Sequence, residues 1–153
     1  MAKFSFNGLD TLEASFQQLA QLTDEEKYSV LAPAAELLKE KFVDKICALF
    51  TQRTGDLARS ITITQRSSDN GYYAHIAPGG KHSHMTMGKR KRKKTGTSRK
   101  YYGTNAEVAY ILEYGSPRIA ASHWMETTNE ESEDEIVSAE AAAWDNLLKS
   151  KGL

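Results

Sequence analysis

Ile61-Thr62-Ile63-Thr64, the polar turn Ser67–Gly71 and then Tyr72-Tyr73-Ala74-His75-Ile76-Ala77 decide the fold class. Alternating β-branched residues are the signature of a half-buried strand, since successive side chains point to opposite faces. Asn70-Gly71 is the strongest short hairpin dipeptide, so Tyr72–Ala77 should return antiparallel and Pro78-Gly79-Gly80 should close it. Helical periodicity lies on both sides of this pair. The predicted class is therefore α+β: a small antiparallel sheet packed against a long helix from the N-terminal half and a C-terminal helix, with a long basic loop between strands.

Working outward, Leu12, Phe16 and Leu19 recur at helical spacing after Asp10 or Thr11, which predicts an amphipathic helix over Leu9–Leu22. Thr23-Asp24-Glu25-Glu26 reads as a second helix start, a cap followed by acids that complement the helix dipole. Leu31, Ala35, Leu38, Phe42, Ile46, Leu49 and Phe50 then form one stripe. Because proline suits a first turn and breaks an interior, Pro33 predicts that this long helix begins just before it. It should end near Thr51. Asp56 offers a cap for a single turn through Arg59. Beyond the hairpin, Lys100–Val108 reads as a third strand and Tyr110–Tyr114 as a short helical turn stopped by Gly115. Ser122 should start the last helix, with Val137, Ala141, Trp144 and Leu148 on its buried stripe.

Charge is sharply segregated. The chain carries 20 Lys/Arg and 20 Asp/Glu among 153 residues, a formal net charge of zero. Yet nine cations and no carboxylate lie between Lys81 and Lys100, including Lys89, Arg90, Lys91, Arg92, Lys93, Lys94, Arg99 and Lys100. Eight carboxylates and no Lys/Arg lie between Glu126 and Asp145. Six adjacent cations repel one another, so residues 79–100 are expected to be a solvated, mobile loop or a long hairpin arm on a single domain spanning 1–153. Such a chain is suited to binding copies of itself or a charged neighbour. A chain of this length buries roughly 70% of its unfolded surface. Cys47, the single cysteine, has Ile46, Leu49 and Phe50 around it, which predicts a buried thiol. No disulfide framework and no signal peptide point to a reducing cytoplasm, and no apolar run reaches the ~20 residues that span a bilayer.

The pattern carries little chemistry. His82-x-His84 could ligate a transition metal, but no acid or cysteine lies near it in sequence and the surrounding cations oppose one. His75 alternates within a strand and reads as a surface residue. No nucleophile elbow appears, and Gly96-Thr97-Ser98 lacks the spacing of a phosphate loop. The expectation is no enzyme, no cofactor and no metal site. The basic segment could neutralise about five phosphates, with Tyr101 and Tyr102 available for stacking. It could equally order against an acidic protein surface. A small nucleic-acid-binding protein using residues 81–100 is thus the alternative to an assembly protein.

Three segments taken in order carry a resemblance: Phe6-Asn7-Gly8-Leu9-Asp10 before a helix, Arg53-Thr54-Gly55-Asp56-Leu57-Ala58-Arg59-Ser60-Ile61 after a long helix, and Ala109-Tyr110-Ile111-Leu112-Glu113-Tyr114-Gly115-Ser116. They resemble the head–tail joining, or tail-completion, proteins of long-tailed phages and prophages. The motif positions are Thr54, Gly55, Leu57, Ser60, Ile61, Tyr110, Glu113, Tyr114 and Gly115. In that family a proline/arginine segment, an aromatic anchor and a final helix follow. Pro117-Arg118 and His123-Trp124-Met125 stand in those places, although the family more often has Pro-Phe at the anchor. The resemblance implies a non-enzymatic virion component between portal-side connector proteins and the tail tube, working as a ring, often of six. It would be made in the bacterial host cytoplasm and end in the virion. Glu113 with its flanking tyrosines could bridge to a neighbour; Tyr110 and Tyr114, four apart, could equally be core.

Overall fold

The computed structural model describes residues 15, 17, 19–50, 55–69, 71–91 and 98–152, with the backbone alone at 82–91 and 98–102. Most of the expected first helix, its Phe6–Asp10 approach, Thr54 and Arg92–Lys94 lie outside these residues. Ser15, Gln17, Leu19 and Ala20 are helical. The long helix α1 spans Asp24–Leu49. A reciprocal capping box starts it: the Glu26 amide donates to Thr23 Oγ1 and the Thr23 amide to the Glu26 carboxylate, at 3.3 and 2.9 Å. The chain runs on through Pro33 without a break. The expected start before Pro33 is thus corrected. A proline here deletes one backbone hydrogen bond, but Val30 on one side and Ala34, Ala35, Phe42 and Ile46 on the other are all buried. Packing on both sides of the proline outweighs the local penalty.

Helix α2 is the single turn Asp56–Arg59. Strands β1 (Ile61–Ser68) and β2 (Gly71–Pro78) pair antiparallel from Ile61 opposite Pro78 to Ser68 opposite Gly71. This is the hairpin read from the sequence. Ile61 and Ile63 turn toward α1 while Thr62 and Thr64 stay exposed, and Tyr72 locks the returning strand onto the start of α1. Its ring meets Tyr28 edge-on at 5.2 Å, Lys27 sits 4.6 Å over its face, and its hydroxyl bonds to Asp24.

Of the two alternatives for the next segment, loop or long hairpin arm, the described residues take the hairpin. β3 (Lys81–Lys91) and β4 (Ser98–Thr104) form a second antiparallel pair, separate from β1–β2. The expected strand over Lys100–Val108 therefore stops at Thr104. Thr104 and Glu107 form another capping box, at 3.1 and 2.8 Å, and helix α3 runs over Asn105–Tyr114. Two orphan amides are satisfied at once by this box, which is why a helix wins where alternation suggested a strand.

Helix α4, Trp124–Lys151, lies antiparallel along α1. Lys41–Glu135 and Lys45–Glu131, each at 2.8 Å, and Glu26–Lys151 tie the two together. Its buried face is not the one expected. Trp124, Thr128 and Ser132 are buried, while Trp144 and Val137 are exposed. At 3.6 residues per turn, Val137 lies about 140° around the helix from Ser132. Thr128 and Ser132 each donate to the carbonyl four residues earlier, both at 2.6 Å, so these small hydroxyls are satisfied while buried. The core is Phe42, Ile46, Leu57, Ile61, Ala109 and Trp124, with contributions from α1, α2, β1, α3 and α4. Cys47, one position round from Ile46, is exposed rather than buried.

Candidate functional site

The two internal motif segments meet in this core. Gly55 precedes α2 at φ 69°, in the left-handed region that glycine adopts without steric cost. It is Gly55, rather than Asp56, that takes the cap position, and Asp56 pairs with Arg59 at 3.2 Å. Leu57 and Ile61 are buried, and Ser60 Oγ donates to the Leu57 carbonyl at 2.7 Å. The Ser60 carbonyl then accepts the Gly79 amide at 2.8 Å, joining this turn to the end of β2. Asn105 ties the start of α3 to the same place, its side-chain amide donating to the Gly79 carbonyl at 2.7 Å.

Tyr110–Gly115 is built around a buried carboxylate. Glu113 is only 4% exposed, and it accepts the backbone amides of Met125 and Glu126 at 2.7 and 3.2 Å. A negative group here satisfies two orphan donors at the N-terminus of α4 and complements its dipole. Glu113 is therefore engaged within the subunit, which corrects its reading as a bridge to a neighbour. The start of α4 shifts accordingly: His123, at φ 49°, is the cap residue, while Ser122 donates its hydroxyl to the Leu112 carbonyl at 2.6 Å. Between these points the chain turns tightly, Ser116 and Ile119 exchanging hydrogen bonds at 2.7 and 3.1 Å. Gly115 takes φ 81°, and a Cβ there would lie 2.8 Å from the Ala121 nitrogen and 2.9 Å from the Ile119 oxygen. Both are backbone atoms. Only glycine fits.

With Glu113 facing inward, Tyr110 and Tyr114 face outward. They are 62% and 63% exposed, ring centroids 4.7 Å apart. Core packing for this pair is thus excluded, and an exposed aromatic surface remains. The deep anchor is Trp124, fully buried and edge-on to Phe42 at 5.5 Å. It stands one residue beyond the left-handed His123, in the segment that the resemblance puts at the aromatic anchor, whereas helical periodicity favoured Trp144.

Ion pairing shifts two groups at the opposite end of α1. The hydrogen bond from Lys151, helped by the Thr23 amide, lowers the Glu26 pKa below the ordinary carboxylate value. The Tyr72 hydroxyl raises that of Lys27. Glu113, His123 and Glu126 bring three potential ligand atoms within 4.8 Å of one another. Both Glu113 oxygens already accept amides, and His123 Nδ1 lies 3.3 Å from Glu126, so the group acts as a helix cap. His75 is on the exposed face of β2. Of the basic residues, Lys89, Arg90 and Lys91 lie on β3, and Arg99 and Lys100 on β4. The tertiary structure does not bring them to the motif core. Among the described residues no helix is long and apolar enough to cross a membrane.

No curated protein and no solved structure matches the chain significantly. The family described as "Bacteriophage HK97-gp10, putative tail-component" matches residues 10–115, about two thirds of the chain, including both internal motif segments except Ser116. The chain belongs to this HK97-gp10-like family of phage tail components.

Proposed function

We propose that the protein is a structural component of the head–tail junction, acting at tail completion through protein–protein contacts and not through catalysis. It joins portal-side connector proteins to the tail tube as a ring of copies, assembled in the bacterial host cytoplasm and retained in the virion. It works as one domain carrying a basic arm over residues 79–100. One observation carries this reading. The Tyr110–Gly115 segment spends its carboxylate on a helix cap and leaves a bare pair of tyrosines on the outside. Large aromatic side chains are characteristic anchors of protein interfaces. The test is Tyr110→Ala with Tyr114→Ala, made in the phage. The double variant should fold as wild type, its melting point within a few degrees, because both rings are exposed. Electron microscopy of lysates should then show filled heads and tails that fail to join. Normally joined particles would refute the junction role of this surface.

A further inference from the structure

The pairing register of β3 and β4 sets like charges directly against one another. Lys89 stands opposite Lys100 and Arg90 opposite Arg99. Like charges at paired positions destabilise a ladder, and an isolated two-stranded hairpin is already marginal in water. Among the described residues this hairpin receives little support from its own molecule. Its base is fixed by the Asn105 amide, which donates to the Gly80 carbonyl at 3.1 Å, and near its base it meets α2 and α3. Among the described residues it makes no substantial contact with α4. An 11-residue strand extends about 36 Å, against a radius of gyration of about 15 Å for a chain of this length. The cationic end therefore lies well away from the core, and an anionic surface would relieve its repulsion.

Among the described residues, the outer side of α4 offers such a surface. Glu131 and Glu135 face α1 and pair with Lys45 and Lys41. Glu130, Glu133 and Asp134 lie on the outer side of α4, exposed and with no ion pair among the described residues. At i, i+3 and i+4 they form one stripe whose members also repel one another. The stripe is about 6 Å long and the Lys89–Lys91 ladder about 7 Å, so the two match in extent. Resting on the assembly reading above, we infer that the β3–β4 hairpin of one copy docks on the Glu130/Glu133/Asp134 stripe of α4 in a second copy. A nucleic acid would satisfy the hairpin but leave the acidic stripe unmatched. A second copy satisfies both, consistent with a net charge of zero. The contact joins two different patches, so it propagates head to tail and closes into a ring where the rotation permits.

Sedimentation of three proteins tests this: wild type, Lys89→Glu/Arg90→Glu/Lys91→Glu/Arg99→Glu/Lys100→Glu, which turns the basic segment net negative, and Glu130→Lys/Glu133→Lys/Asp134→Lys. Wild type should associate at low salt and weaken at least about tenfold when salt rises well beyond the physiological range, as expected for exposed charge pairs. Each variant alone should be folded by circular dichroism and monomeric, because its two patches now carry the same sign. Mixing the two variants should restore association, since every contact in an alternating assembly is again complementary. The inference is overturned if wild type stays monomeric at low salt, if either variant associates like wild type, or if mixing restores nothing. Duplex DNA binding that the hairpin variant loses and the α4 variant keeps, without rescue on mixing, would assign the hairpin to nucleic acid instead. Association with rescue, but normal joining of particles by both variants, would keep the contact and remove the head–tail role. Failed joining by variants of a monomeric wild type would do the reverse.

Discussion

Replacing Glu113 by glutamine tests the central feature of the motif, a buried carboxylate capping a helix from another element. Its two oxygens accept the Met125 and Glu126 amides at 2.7 and 3.2 Å, with 4% of the residue exposed. Glutamine keeps the shape but supplies one acceptor oxygen and one NH2, so one amide must face a donor. A hydrogen bond to a charged acceptor contributes about 1.5–3 kcal/mol, and leaving a buried donor unsatisfied costs a comparable amount. Loss of the negative charge at the α4 N-terminus adds about 0.3–1 kcal/mol. Glu113→Gln should therefore cost about 3 kcal/mol. For a chain of this size each kcal/mol moves the melting point by about 2–4 °C, so a fall of roughly 6–12 °C is expected. Circular dichroism melting measures it, with Glu130→Gln as the exposed control, expected within about 0.5 kcal/mol of wild type. Hydrogen exchange at the Met125 and Glu126 amides should accelerate selectively in the Glu113 variant. A melting point within about 2 °C of wild type, or equal effects at Glu113 and Glu130, would refute the capping argument.

The two tryptophans should differ sharply in urea denaturation. Trp124→Ala should cost about 3–5 kcal/mol, and the half-exposed Trp144 at most about 2, with the reverse order refuting the assigned face of α4. Gly115→Ala should cost about 1–3 kcal/mol for its backbone conformation alone, and more from the contacts with Ile119 and Ala121, measured as a lower urea midpoint. Gly152→Ala, with nothing within 4 Å of the added carbon, should cost less. Glu26 predicts a pH effect. Its folded pKa is depressed by Lys151, so its stabilisation is complete above the unfolded value, about 4.5, and is lost as pH falls through the lower folded value. The stability gap between wild type and Glu26→Gln should accordingly be constant near neutrality and close on acidification; a gap that widens toward low pH would refute the sign.

Local patterns were sufficient wherever a residue's preference and its tertiary role agree. The β1–β2 hairpin follows from alternation and turn chemistry. The capping box at Thr23 was legible in four consecutive residues, but Pro33 misplaced the start of the long helix. The Thr104/Glu107 box was legible in the same way, but the alternation before it masked it. Glycine at 55 and 115 could be read as turns, and the order of the motif segments already pointed to the family. What the sequence could not decide was which face of α4 is buried. Thr128 and Ser132 look like surface residues until their hydroxyls find carbonyls one turn back, and Val137 and Trp144 look like core until α1 packs on the other side. Glu113 is an ordinary acid in the sequence; only the turn through Gly115 brings Met125 and Glu126 over it, and that approach turns a charge into a buried cap. The Lys89–Lys100 and Arg90–Arg99 pairs, too, depend on β-register. Periodicity records hydrophobicity along one element, whereas burial and charge pairing arise between elements, and for this chain those were decided by the antiparallel docking of α1 on α4 and by the second hairpin.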